Sequence, residues 1–173
     1  GDLDGAHAAT QKAIDFFASG ASQLFSPLAA ESFAAQAGVL RRQGRAFDAV
    51  GRLQHALTLL LSANDPYSQK IRCRILDDLG LAYQQTNDLD AARDAFGEAL
   101  TIRRRLDRSI EIAQSLINLA RLEVRANSLD AAAAHSHEVL AHLHGLPPSS
   151  LRANAETLAA QVLLRMGNAT QGI

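Results

Sequence analysis

An all-α fold built from repeated helix hairpins is what this sequence predicts, and three observations predict it. The first is composition. Of 173 residues, 33 are alanine and 26 are leucine, against 4 prolines. Alanine and unbranched or γ-branched side chains lose little freedom in a helix, so an α-rich chain is expected before any pattern is read. The second is recurrence. Short similar stretches open at Gly1, Gly44, Asn87 and Asn127, and Gly167 begins a fifth, giving spacings of 43, 43, 40 and 40. Glycine and asparagine are the residues that tolerate the left-handed backbone of a tight turn between helices. The third is periodicity. Between the turns, apolar residues fall three and four apart, as in Leu76, Leu79, Gly80 and Tyr83, then Leu89, Ala92, Phe96, Ala99 and Leu100.

The elements follow in order. A helix over 3–19 leaves the Gly1 turn with Ala6 at an offset that recurs as Ala49, Ala92 and Ala132; a small residue there marks a close helix crossing. A second helix, 27–43, opens at Ser26-Pro27 and stops at Gly44. The third, 47–62, carries Ala49, Leu53 and Ala56. Asp65-Pro66 caps the fourth, 66–86, which ends at Asn87. The fifth, 90–106, terminates in Arg103-Arg104-Arg105, where cations complement the helix dipole. Ser109 is the expected cap of the sixth, 109–126, with Leu116, Leu119 and Ala120 on one face. Leu129 precedes the seventh, 130–145, which carries Ala132, Ala133, Ser136, Val139, Leu140 and Leu143. Pro148-Ser149 opens the eighth, 149–166, and Gly167 closes it.

Arranged so, the chain reads as a single array: a half repeat over 1–26, repeats at 27–65, 66–108 and 109–148, and a half repeat over 149–173. The expected architecture is a right-handed α-solenoid of antiparallel hairpins. No polar-faced capping helix is evident at either end, so the array is expected to be a segment of a longer protein. Ile14, Phe17, Leu158 and Val162 on the outer helices are then expected to be partly uncovered, allowing self-association through those helices.

Charge and cysteine content remove several function classes. The formal net charge is −1, without the basic excess that nucleic-acid binding needs. One cysteine, Cys73, cannot form an internal disulfide framework. No apolar run approaches the roughly 20 residues that span a bilayer. A cytoplasmic protein that contacts neither membrane nor nucleic acid is expected.

Leu79, Gly80, Tyr83, Asn87, Leu89, Ala92, Phe96 and Ala99 form a spaced string, echoed by Ala37, Leu40, Gly44, Ala46, Ala49, Leu53 and Ala56. This string resembles the tetratricopeptide repeat family over essentially the whole chain. The period exceeds the family's usual length by one or two helical turns and is similar to the long repeats of bacterial regulators and of spindle-orientation adaptors. Glu123 and Ser136 stand where the family has an aromatic residue and a phenylalanine, so that repeat is expected to pack less heavily. The resemblance implies a non-enzymatic scaffold that binds a protein or peptide in a concave groove. The alternative it implies is a sensor or coupling segment of a bacterial multidomain signalling or transcriptional regulator.

The expected groove lies on the first helix of each hairpin. Positions 90–150° from each buried stripe are Glu31, Ala34, Gly38 and Arg41; Arg74, Asp77, Leu81 and Gln84; Gln114, Ile117, Arg121 and Val124; and Asn154, Thr157, Gln161 and Leu164. Leu81, Ile117, Val124 and Leu164 supply an apolar strip, and the polar residues supply partners for backbone amides. No lysine other than Lys70 lies on these helices, so a lysine clamp for terminal carboxylates is not matched.

Other constellations fail on geometry. His135, His137, His142 and His144 lack the three- or four-residue spacing that brings two rings to one metal ion, so no metal or cofactor is expected. Asp77 and Asp78 are adjacent and point about 100° apart, which rules out joint acid–base work. Cys73 has no histidine at a partnering position and reads as a packing residue. The arginine run reads as a solvated helix end. No catalytic residue is expected.

Overall fold

The computed structural model describes residues 3–18, 26–145 and 147–171, and all regular structure among them is helical. In order, the helices are α1 (Leu3–Ala18), α2 (Ser26–Arg42), α3 (Ala46–Thr58), α4 (Pro66–Gln85), α5 (Leu89–Arg105), α6 (Ser109–Arg125), α7 (Leu129–Leu143) and α8 (Ser150–Gln171). The expected all-α class and the eight helices are present, each helix within a few residues of its expected bounds.

One turn design joins four of the helix pairs. Gly44, Asn87, Asp107 and Asn127 take positive φ values of 78°, 63°, 50° and 60°. Each donates its N–H three residues back, and the following residue donates five back, as in Asn127 to Val124 (3.3 Å) and Ser128 to Glu123 (2.8 Å). These paired bonds satisfy carbonyls that a helix end would otherwise orphan. That following residue (Arg45, Asp88, Arg108 or Ser128) then accepts the first bond of the next helix through its own carbonyl, from Ala49, Ala92, Ile112 and Ala132 respectively. A helix stop and a helix start are thus fused into two residues.

Three boundaries differ from expectation. α3 ends at Thr58 rather than 62, because Leu60, Leu61 and Ala63 donate only three residues back, tightening the chain and turning Leu60 fully inward. Ser109 is the first helical residue of α6; its cap is Arg108, with no side-chain cap bond. Gly167 does not open a fifth turn. α8 runs through it to Gln171, since one glycine only weakens a helix and no proline follows. Gly1 and the side chain of Phe17 lie outside what the structure describes. The Asp65 cap is as expected: its carboxylate accepts from the N–H groups of Tyr67 (3.1 Å) and Ser68 (3.0 Å).

The chain divides into two compact units, 1–95 and 96–173, and the division falls inside α5. In the first, Ile14, Phe33, Leu40, Ala49, Leu53, Ala56, Ile71, Ile75 and Leu79 belong to one apolar core. In the second, α7 packs between α6 and α8, and Leu116, Leu122, Ala132, Val139 and Val162 are buried. The recurring alanines Ala49, Ala92 and Ala132 are all fully buried. Ile14, Leu158 and Val162, expected to be partly uncovered, are buried instead. The large apolar residues that α8 exposes, among the described residues, are Leu163 and Leu164.

Candidate functional site

In the first unit, α2 and α4 lie side by side, and polar bonds stitch their exposed edges together. Arg74 meets Glu31 at 2.7 Å, and the Tyr67 hydroxyl donates to the same carboxylate at 3.2 Å. Arg41 approaches Asp78 at 4.0 Å. Burial pushes the Asp78 carboxyl above its usual range; the Arg41 guanidinium opposes that shift and the neighbouring Asp77 adds to it. Leu81 and Gln84 are half-buried, as are Arg41 and Asp77, while Arg74 is exposed. The charges expected to greet a partner on this face are largely spent on one another.

The second unit offers a different surface. Here α6 and α8 are neighbours, tied by Arg165, which donates to the Val124 carbonyl at 3.3 Å. One turn earlier on the two helices stand Arg121 and Gln161, both exposed. Gln114 and Asn154 are exposed as well, Gln114 donating to Asn118 at 3.5 Å, and Leu164 is 68% exposed. Val124 is half-buried. Among the described residues Arg121 forms no ion pair. Ile117 must be taken off the face: it is 1% exposed and belongs to the interior, so it cannot meet a partner. Its position lies closer to the buried stripe of α6 than spacing alone indicated, with Leu116, Leu119 and Ala120 all buried around it.

The end of α5 is solvated, as expected, at Arg104, Arg105 and Arg108, which are all exposed, but not at Arg103. Arg103 is buried and donates to the Ser115 hydroxyl. Arg104 pairs with Glu138 at 2.5 Å and Arg108 with Glu111 at 2.6 Å. These pairs act within the second unit, and Arg105 is an exposed member of the run that forms no ion pair among the described residues. Sequence spacing gave no sign of this, because the acidic partner Glu138 lies a helix away.

His142 lies 3.7 Å from Glu138, and His135 is half-buried, its imidazole held below the ordinary histidine value by burial despite Glu123 and Glu138 nearby. Among the described residues no three His, Cys, Asp or Glu side chains converge as a metal would require. Cys73 is buried in α4. No described helix is long and apolar enough to cross a membrane.

Helix pairs of this geometry, repeated along a chain with polar outer edges and alanine-lined crossings, define the helical-repeat class. The tetratricopeptide repeat model matches residues 28–105 and again 71–144, and the chain belongs to that family. Two solved structures show the same fold. The crystal structure of BtubC (BKLC) from P. vanneervenii has a TM-score of 0.79 at 16% identity over 96% of this chain and 67% of that one. The apo form of RapI has a TM-score of 0.82 at 15% identity, again over 96% of this chain, but only 45% of its own length. This chain therefore spans less than half of RapI. A search of curated protein sequences finds no match.

Proposed function

We propose that this chain is a non-enzymatic scaffold that binds a peptide segment of another protein, and that the α6–α8 face of the second unit takes the segment. Membership of the tetratricopeptide repeat family supports the general reading. One observation carries the choice of face: Arg121 on α6 is exposed and forms no ion pair among the described residues, and the neighbouring helix α8 exposes Gln161 and Leu164. A cation next to apolar and amide groups is the usual make-up of a binding hot spot. On the α2–α4 face, by contrast, a partner would have to break Arg74–Glu31 before it found a charge.

The test is selection of binders from a peptide array, followed by solution titration of the best sequences. Arg121→Glu should weaken them at least about thirtyfold, the equivalent of ~2 kcal/mol, with helicity and Tm unchanged. The control is Arg105→Glu, an exposed position on α5, which should bind as wild type. Loss of binding in Arg105→Glu with retention in Arg121→Glu would overturn the assignment.

A further inference from the structure

A pocket of about 400 Å³ opens in the first unit, lined by residues of α1, α2, α3 and the α2–α3 turn. Its interior holds a polar group that the fold does not use. Gln36 is 0% exposed, and its Nε2 donates to Gln11 Oε1 at 2.9 Å. That bond fixes the amide and leaves the other end, the buried Oε1, without a hydrogen-bond partner among the described residues; Gln36 itself is one of the residues that line the pocket. His7, which also lines the pocket, has a buried Nδ1 that is likewise unpartnered among the described residues. Buried polar atoms are almost always satisfied, so two orphans on one cavity point to a ligand that completes them.

The mouth adds charge and an aromatic surface. Asp48 is engaged by Arg45 at 2.7 Å. Arg52 lies 5.9 Å from the centre of the Phe33 ring, and among the described residues no carboxylate pairs with it. His55 meets Phe33 edge to face, with ring centres 4.5 Å apart and planes at 78°. The cationic side of the mouth is therefore uncompensated. Phe47, also lining the pocket, is 79% exposed and offers a flat apolar face. Gly51, also lining the pocket, is exposed, and a Cβ built there meets nothing within 4 Å.

We propose that this pocket binds a small anionic molecule bearing a flat ring with N–H donors. The anion meets Arg52 and His55, the ring lies along Phe47, and a ring or amide N–H reaches Gln36 Oε1. The volume sits at the low end of small-molecule sites, which fits a molecule of that size and excludes a folded segment. Nucleoside monophosphates and N-acylated aromatic amino acids share this chemistry. The site is separate from the α6–α8 face, so either can fail alone.

Thermal-shift and calorimetric titrations of the whole chain test it. The probes are the four nucleoside monophosphates, N-acetylphenylalanine and N-acetyltryptophan, with inorganic phosphate and acetate as anions lacking the ring. At least one ring-bearing probe should raise Tm and bind at least tenfold more tightly than either simple anion, and the arm that responds names the source. Arg52→Gln should weaken that binding at least tenfold. Gly51→Leu, which grows into open space, should abolish it while the unliganded Tm is unchanged or higher. Arg121→Glu should bind the probe as wild type. No binding by any ring-bearing probe at millimolar concentration overturns the proposal. So does binding by phosphate alone of equal strength, or wild-type affinity in both pocket variants.

Discussion

Asparagine or glycine at 44, 87 and 127 was enough to locate three turns from the sequence, because few other residues accept φ near +60°. Asp107 takes the same conformation at φ 50°, and no residue preference singled it out: aspartate occurs at helix starts and on solvated faces as often. The difference between residues that need a left-handed backbone and residues that merely lack a side chain is measurable. Gly44→Ala should cost about 1–2 kcal/mol, the steric penalty of an L residue at φ 78°. Gly38→Ala, in the body of α2 with open space around its would-be Cβ, should instead gain about 0.5–1 kcal/mol. Urea denaturation of the two variants checks both signs. A third residue sets a pH dependence. Burial lowers the pKa of His135 below its unfolded value of 6.5, so the unfolded chain binds the proton more tightly. The neutral form's advantage is complete above that value, and it shrinks as pH falls through 6.5 toward the folded pKa. Tm measured from pH 7.5 down to 5.5 should therefore fall less in His135→Gln than in wild type.

At the scale of the element, the alanine five residues past each turn residue and the position four further on set how closely paired helices lie. That second position is Leu53 in α3, Phe96 in α5 and Ser136 in α7. Leu53 and Phe96 are among the largest fully buried side chains. Ser136 is buried too, but its hydroxyl turns back onto the Ala132 carbonyl at 2.7 Å. Beside it, between α7 and α8, runs an apolar groove of about 280 Å³ lined by Leu140, Ala159, Val162 and Leu163. The lighter packing was legible in the sequence; that the space would remain open was not. Ser136→Leu should fill part of it and stabilise the chain by about 1 kcal/mol. Ala132→Leu, one turn earlier at a fully buried crossing, should overpack and cost about 1–3 kcal/mol. Ala134→Leu on the exposed side of α7 should be near neutral. Equal Tm shifts for the last two variants would show the crossing to lie elsewhere. The candidate face was less legible than the helices because periodicity fixes a buried stripe but not its width. Ile117 fell inside that stripe, and the charges of the α2–α4 face turned out to be consumed by Glu31 and Asp78, which no spacing rule couples to their arginines.

At the scale of the whole chain, the helix pairs in extensive contact within a unit, among the described residues, are adjacent or next but one in sequence: α1 with α2, α2 with α3 and α4, α3 with α4, α6 with α7 and α8, and α7 with α8. A chain wired this way closes only short loops as it folds. Its transition state can form from any one hairpin without waiting for distant segments to meet, and folding times for such low-contact-order helical proteins run from microseconds to milliseconds. The same wiring limits how far a disturbance travels. Hydrogen exchange should find Leu53 and Leu79 opening together and Leu116 and Val139 opening together. Ala132→Leu should speed exchange at Leu116 and Val139 and leave Leu53 and Leu79 at the wild-type rate. A uniform rise at all four amides would mean the chain opens as a single cooperative body. Short-range wiring has a further consequence for variation over time: a hairpin whose contacts end with its immediate neighbours can change its outer residues, or its length by a turn, while leaving the others' packing intact. Sequences could then drift to the 15–16% identity seen here and still trace the same path in space.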